Sequence, residues 1–152
     1  MSKTYTKAKK DSVRTPRYLL SRIQKQFFGY NVYFDCCPYN ENFNAEKHRC
    51  GLSYEWPDCT FVNPPYSRAA TFLKYAANQW IKNKTRIVLL VKLDILGTKT
   101  FQKYHQICTV YACNDRIKFQ NYSQKAQFFS VVIVFGDVTK KLGTLNVIDV
   151  KK

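Results

Sequence analysis

The sequence is short of acid. Asp and Glu together number 10 against 25 Lys and Arg in 152 residues, a formal charge of +15. Such an excess raises the local concentration of polyanions and speeds their capture, and nucleic acid is the commonest of these. Charge alone does not single it out, because ribosome-associated, membrane-surface and merely soluble proteins share it. Long apolar runs are also missing. The longest, Phe128 to Phe135, falls far short of the ~20 residues that a bilayer span needs, so no membrane partner is expected. The basic N-terminus has neither the apolar stretch nor the small-residue cleavage site of a signal peptide. A cytoplasmic protein is therefore expected (host cytoplasm if the chain is viral). C-x2-C pairs are absent too. A metal site would have to draw on Cys36, Cys37, His48, Cys50 and Cys59, which lack the spacing that builds zinc sites. No metal is expected, and the six cysteines read as free thiols in a reducing compartment.

What is present is apolar and aromatic. Hydrophobic residues make up 45% of the chain, with 11 Tyr, 11 Phe and 2 Trp. That rules out global disorder and leaves aromatic faces to spare for stacking on bases. Packing remains the simpler role for any single ring. The length gives one domain, read as residues 14–138, preceded by a basic flexible arm over 1–13. A Lys-rich C-terminal tail or edge strand follows over 139–152. No internal repeat is visible.

Periodicity places the elements. Thr15 as N-cap and Pro16 at the first helical position start a helix carrying Leu19, Leu20, Ile23 and Phe27, and Gly29 stops it. A short strand over 31–34 delivers Asp35, and a second over 60–62 delivers Asn63. After Ser67 the apolar residues Phe72, Leu73, Ala76, Ala77, Trp80 and Ile81 form a helical stripe. Residues 86–93 read as a strand covered on both faces. A helix over 98–106 follows, with strands over 108–112, 116–119 and 127–135 and an edge strand around 145–150. Strands alternating with helices, then a strand-rich end, predict an open α/β sheet with an antiparallel end.

The most informative stretch is Asn63-Pro64-Pro65-Tyr66, directly after a strand. At background frequencies it arises in roughly one chain of this size in two thousand. Each proline fixes its own φ, removes an N–H and keeps the residue before it extended. The corner thus presents two convergent acceptors, the Asn63 side-chain oxygen and the Pro64 main-chain carbonyl, with the Tyr66 ring beside them. That set matches a flat conjugated group bearing –NH2. Accepting from both N–H bonds favours a pyramidal nitrogen and frees its lone pair for attack. If the electrophile is an activated methylsulfonium, only in-line alignment remains to be supplied.

The tetrapeptide resembles the motif of S-adenosylmethionine-dependent amino-methyltransferases. Its surroundings are similar to the small phage-type (Dam-like) DNA N6-adenine methyltransferases. These are Arg14-Thr15-Pro16-Arg17-Tyr18-Leu19, Phe34-Asp35-Cys36-Cys37, Trp56, Phe61 to Ser67, Leu89 to Asp94, Arg116 to Phe119 and Val134-Phe135-Gly136. The resemblance spans residues 14–136. It implies a compact Rossmann-like sheet, mixed parallel and antiparallel, with helices on both faces. It also implies S-adenosyl-L-methionine as cofactor, DNA as partner, and methyl transfer to the adenine N6 amino group. Thr15 and Pro16 would border the cofactor's amino-acid end, and Asp35 and Cys36 would lie beside it. Asn63, Pro64, Pro65 and Tyr66 would hold an adenine flipped from the stack, with Asn63 also near the cofactor. The turn after the first strand, Asp35-Cys36-Cys37-Pro38, has no glycine, unlike the turns of typical methyltransferases. Only residues 36–62 separate Asp35 from Asn63, too few for the crossovers that usually supply a ribose-binding carboxylate. Among Glu41, Glu46, Glu55 and Asp58, the position of Glu55 before Trp56 favours it. No separate target-recognition domain is visible, which leaves sequence reading to loops such as 67–70 or 114–125.

Two other functions share these features. The same chemistry suits a glutamine amide in a protein or an amino group in RNA. A non-catalytic nucleic-acid binder would keep the basic aromatic surface without the cofactor. A monomer is expected.

Overall fold

Gly29 ends the first helix where the sequence places it, in the left-handed region at φ 57°, with its N–H returned to the Gln24 carbonyl. Only glycine takes that conformation without a Cβ penalty. The computed structural model describes residues 13–38 and 51–152. All of the basic arm but Val13 lies outside them, as do Glu41, Glu46, His48 and Cys50. In chain order the elements are α1 (Arg17–Phe28), β1 (Phe34–Asp35), β2 (Thr60–Val62), α2 (Ala69–Asn83) and β3 (Ile87–Lys92), then α3 (Lys99–Tyr104), β4 (Thr109–Cys113), β5 (Ser130–Phe135) and β6 (Leu145–Ile148). Short 3-10 turns at Gly51–Ser53, Tyr66–Arg68, Leu93–Gly97 and His105–Ile107 join them.

The six strands form one sheet in the order β1-β2-β3-β5-β4-β6. β1, β2 and β3 pair in parallel, β5 opposes both β3 and β4, and β6 is parallel to β4. The sheet is mixed, as expected. Its antiparallel strand, however, is interior rather than at an end. Every strand but β5 therefore ends at the same rim of the sheet, and β5 begins there.

Alternation sorts the core into two layers. Ile87, Leu89 and Val91 of β3 and Val131, Ile133 and Phe135 of β5 face α2, where Phe72, Leu73, Ala76 and Ala77 meet them. Val88, Leu90, Val132 and Val134 face the other way, onto Leu19, Ile23 and Phe28 of α1. Each large apolar side chain so covered contributes about 1.5–3 kcal/mol. β3 and β5 are covered on both faces, which explains why they read as continuous apolar runs. Among the described residues no helix is long and apolar enough to cross a membrane.

Two local expectations change. The helix begins at Arg17 with Pro16 as its N-cap residue, and no side chain caps it. Thr15 is not the cap, because its hydroxyl accepts a hydrogen bond from the Asn63 side chain instead. Residues 116–119 form no strand. Their alternation is real, with Ile117 and Phe119 buried against α1's layer. The backbone, however, pairs with loops: the Ala126 N–H donates to the Ile117 carbonyl at 2.9 Å, and the Gln120 N–H to the Arg14 carbonyl at 2.9 Å. Burial set the pattern without a ladder.

Candidate active site

The site grows from the prolines. Pro16 disfavours the α region for Thr15, so the chain enters α1 extended and passes beside the end of β2. That entry is fastened on its outer side by two bonds to the loop at 120–121, one of them the Arg14 N–H to Asn121 Oδ1 at 2.9 Å. On its inner side it meets Asn63. The Asn63 Nδ2 donates to the Val13 carbonyl at 2.9 Å and to Thr15 Oγ1 at 2.8 Å. A carbonyl can only accept, so the amide orientation is forced: nitrogen faces the entry segment and oxygen faces away from it. Neither Asn63 Oδ1 nor the Pro64 carbonyl accepts a hydrogen bond from the described residues. Both acceptors of the corner are therefore unengaged among the described residues.

Asn63 lines an open cleft of about 230 Å³ with Arg14, Thr15, Arg17, Asp35 and Cys37. Asp35 ends β1, beside β2 in the sheet. Burial holds its carboxyl above the ordinary carboxylate value, partly opposed by the Cys37 N–H, which donates to Oδ1 at 3.0 Å. Oδ2 accepts nothing among the described residues. The cleft thus joins two guanidinium-bearing residues, a carboxylate and a side-chain amide beyond the carboxyl ends of β1 and β2. Open α/β sheets bind their ligands at that position.

Beside the cleft stands an aromatic corner. The Tyr66 and Phe128 rings meet edge to face with centroids 5.3 Å apart and planes at 83°. The Lys92 Nζ lies 4.2 Å over the Tyr66 ring and 4.5 Å over that of Phe128. Pro64 is buried and Pro65 half-buried, as a rigid support for this edge.

The structure brings together Thr15, Asp35 and Asn63, with Pro16 buried just behind Thr15. It does not bring Cys36 or Glu55 to them. The Cys36 side chain is buried in the α2 layer, and it is Cys37 that reaches the cleft. A hydrogen bond with Cys37 and burial both push the Cys36 thiol up, so it stays protonated. The two thiols lie in the bend after β1 with their sulfurs 3.7 Å apart, but Cys36 is covered whereas Cys37 is only half-buried and stays at the cleft. Glu55 is exposed before the amino end of β2 and pairs with Lys82 at 2.6 Å. Asp58, at the same end, holds Arg86 at 2.8 Å. The five described cysteines are free thiols.

Sequence reading missed Arg14, Arg17, Lys92 and Phe128. The arginines flank Thr15-Pro16 and carried a visible signal. Lys92 offered only a polar end to an apolar strand, and Phe128 offered none.

A mostly parallel open sheet with helices on both faces and a polar cleft beyond its strand ends defines a Rossmann-like α/β fold. The model of the DNA N-6-adenine-methyltransferase (Dam) family matches residues 2–144, and the chain belongs to that family. No curated protein and no solved structure matches it. The protein transfers a methyl group from S-adenosylmethionine to the N6 amino group of adenine in DNA. The residues present fit that donor, since Arg14 and Arg17 suit its carboxylate and the spare Asp35 oxygen suits a hydroxyl or ammonium donor.

Proposed function

We propose that Asn63 and Pro64 receive the target amino group, that Tyr66 stacks on the adenine, and that Thr15, Pro16 and Asp35 border the cofactor. The observation that carries this reading is the double tether of the Asn63 amide nitrogen, which commits its oxygen to accepting. The bound cofactor supplies a methyl group activated by its sulfonium centre. Asn63 Oδ1 and the Pro64 carbonyl each accept one N6–H, which withdraws the nitrogen lone pair from the ring and aims it at that methyl. The N–C bond would form as the methyl–sulfur bond breaks, its electron pair staying on the sulfur of the departing thioether, and the positive charge gained by N6 would be stabilised by the same two oxygens. The surplus proton then leaves N6 for water. Because the acceptors are fixed before substrate arrives, little reorganisation accompanies the reaction.

The site is assembled within one chain, which favours a monomer acting in the compartment that holds its DNA, the cytoplasm of the cell or host. The test is labelled methyl transfer to unmethylated duplex DNA. Asn63→Ala should lose about 10²–10³ in kcat, the scale seen when one preorganised electrostatic contact is removed. Full activity in that variant overturns the reading.

A further inference from the structure

Lys92 closes β3, in the middle of the sheet, and its ammonium rests on two rings rather than on a carboxylate. Among the described residues Lys92 has no ion pair, and its contacts are the faces of Tyr66 at 4.2 Å and Phe128 at 4.5 Å. A lysine this close to the surface ordinarily runs its head out to water. Here it stays in the angle between two nearly perpendicular rings, held by the negative faces of both.

Tyr66 is also the proposed seat of the target base, and the role of Lys92 rests on that proposal. A stacked adenine and an ammonium compete for the same electron-rich face. The base does not arrive alone, however, because a flipped nucleotide carries its phosphates with it. They supply what the ring corner lacks, a full negative charge within reach of a four-carbon side chain. We infer that Lys92 is a placeholder for the target base: its ammonium occupies the Tyr66–Phe128 corner in the DNA-free protein, and the entering adenine displaces it onto a backbone phosphate of the same strand. The arrangement keeps the two rings apart and ready, and it makes vacating the seat easy only for a base that brings a phosphate.

Opposite effects on two ligands test this. Free adenosine has a base and no phosphate, so it must displace Lys92 without compensation. Its affinity is measured with saturating demethylated cofactor present, so that the cofactor cleft is filled. Lys92→Ala should bind adenosine several-fold more tightly than the wild type. It should bind unmethylated duplex DNA several-fold more weakly, with the slope of log affinity against log salt reduced by about 0.9, one phosphate contact. Lys92→Arg, which keeps charge and ring contact, should match the wild type on both ligands. Any other pattern for Lys92→Ala, including both ligands shifting the same way or neither shifting, overturns the inference. Adding Tyr66→Ala separates the base seat from its placeholder. Adenosine binding that survives this change refutes Tyr66 as the base seat, whereas binding that depends on Tyr66 but ignores Lys92 refutes the placeholder alone.

Discussion

Thr15 holds Asn63 by a 2.8 Å hydrogen bond between residues 48 apart in the chain. The hydroxyl that would conventionally cap α1 is spent on aiming a side-chain amide. Thr15→Val keeps the shape and removes that acceptor, which leaves Nδ2 with the Val13 carbonyl alone. Loss of such a bond costs about 1–3 kcal/mol, so methyl transfer should fall by roughly 5- to 150-fold. Thr15→Ser should restore most of the rate. Steady-state kinetics on duplex DNA, beside a thermal melt of each variant, separates misaimed chemistry from lost stability.

Gly51 supports the turn after β1 from behind. A Cβ there would come within 2.7 Å of the Cys36 carbonyl oxygen, and the Gly51 carbonyl already accepts the Trp56 indole N–H at 2.7 Å. Backbone on one side and a fixed indole on the other leave nothing flexible to yield. Gly51→Ala should destabilise by about 1–3 kcal/mol, the usual cost of overpacking. It should also weaken cofactor binding, because the displaced residue sits between Asp35 and Cys37. Denaturant melts and calorimetry with S-adenosylmethionine read the two effects.

Asp35 carries its charge at a cost to the fold. Its carboxyl is raised by burial, so the folded protein binds its proton more tightly than the unfolded chain does. The associated stability is complete below the unfolded value of about 3.9 and is lost as pH rises through the folded one. Asp35→Asn should therefore melt higher than the wild type at pH 7, with the difference vanishing below about pH 4. The same change should lower affinity for S-adenosylmethionine.

Asp137 has the opposite sign. Burial raises its carboxyl, but hydrogen bonds from Tyr111, Thr139 and Thr109 outweigh that and hold it below the ordinary value. Burial and that carboxylate together push the Tyr111 hydroxyl up to about 12. Asp137 contributes stability above its unfolded value, and the contribution is lost as pH falls through the folded one. Asp137→Ala should cost about 1–3 kcal/mol at pH 7, for hydroxyls left without their acceptor. The gap from the wild type should narrow in acid melts.

How much of the fold and site was readable depended on how far apart the interacting residues lie. β3 and α2 were legible because each carries its own pattern, a continuous apolar run in one and a helical stripe in the other. The Asn63 corner was legible because proline geometry is local. The tether of Asn63 to Val13 and Thr15 was not, since no periodicity connects a strand end to a chain entry. The Lys92–Phe128 contact depends on β5 running against β3 with Lys92 opposite Ser130, a pairing that only the folded sheet reveals. Residues 116–119 failed in the other direction: alternating burial without a neighbouring strand looks, in sequence, like a strand. Glu55 drew attention by its proximity to Trp56, yet a residue just ahead of β2 lies by chain order toward its amino end, away from the rim where β1 and β2 finish.

The reversed direction of β5 has a consequence for how such a protein diversifies. Because β4 exits and β5 enters at one rim, the stretch from 114 to 129 is a detour whose two feet stand side by side. Lengthening it changes the surface at that rim without shifting any strand past another. Only the parts of it that carry neither the 120–121 tether nor Phe128 can change without disturbing the cleft and the Tyr66 corner.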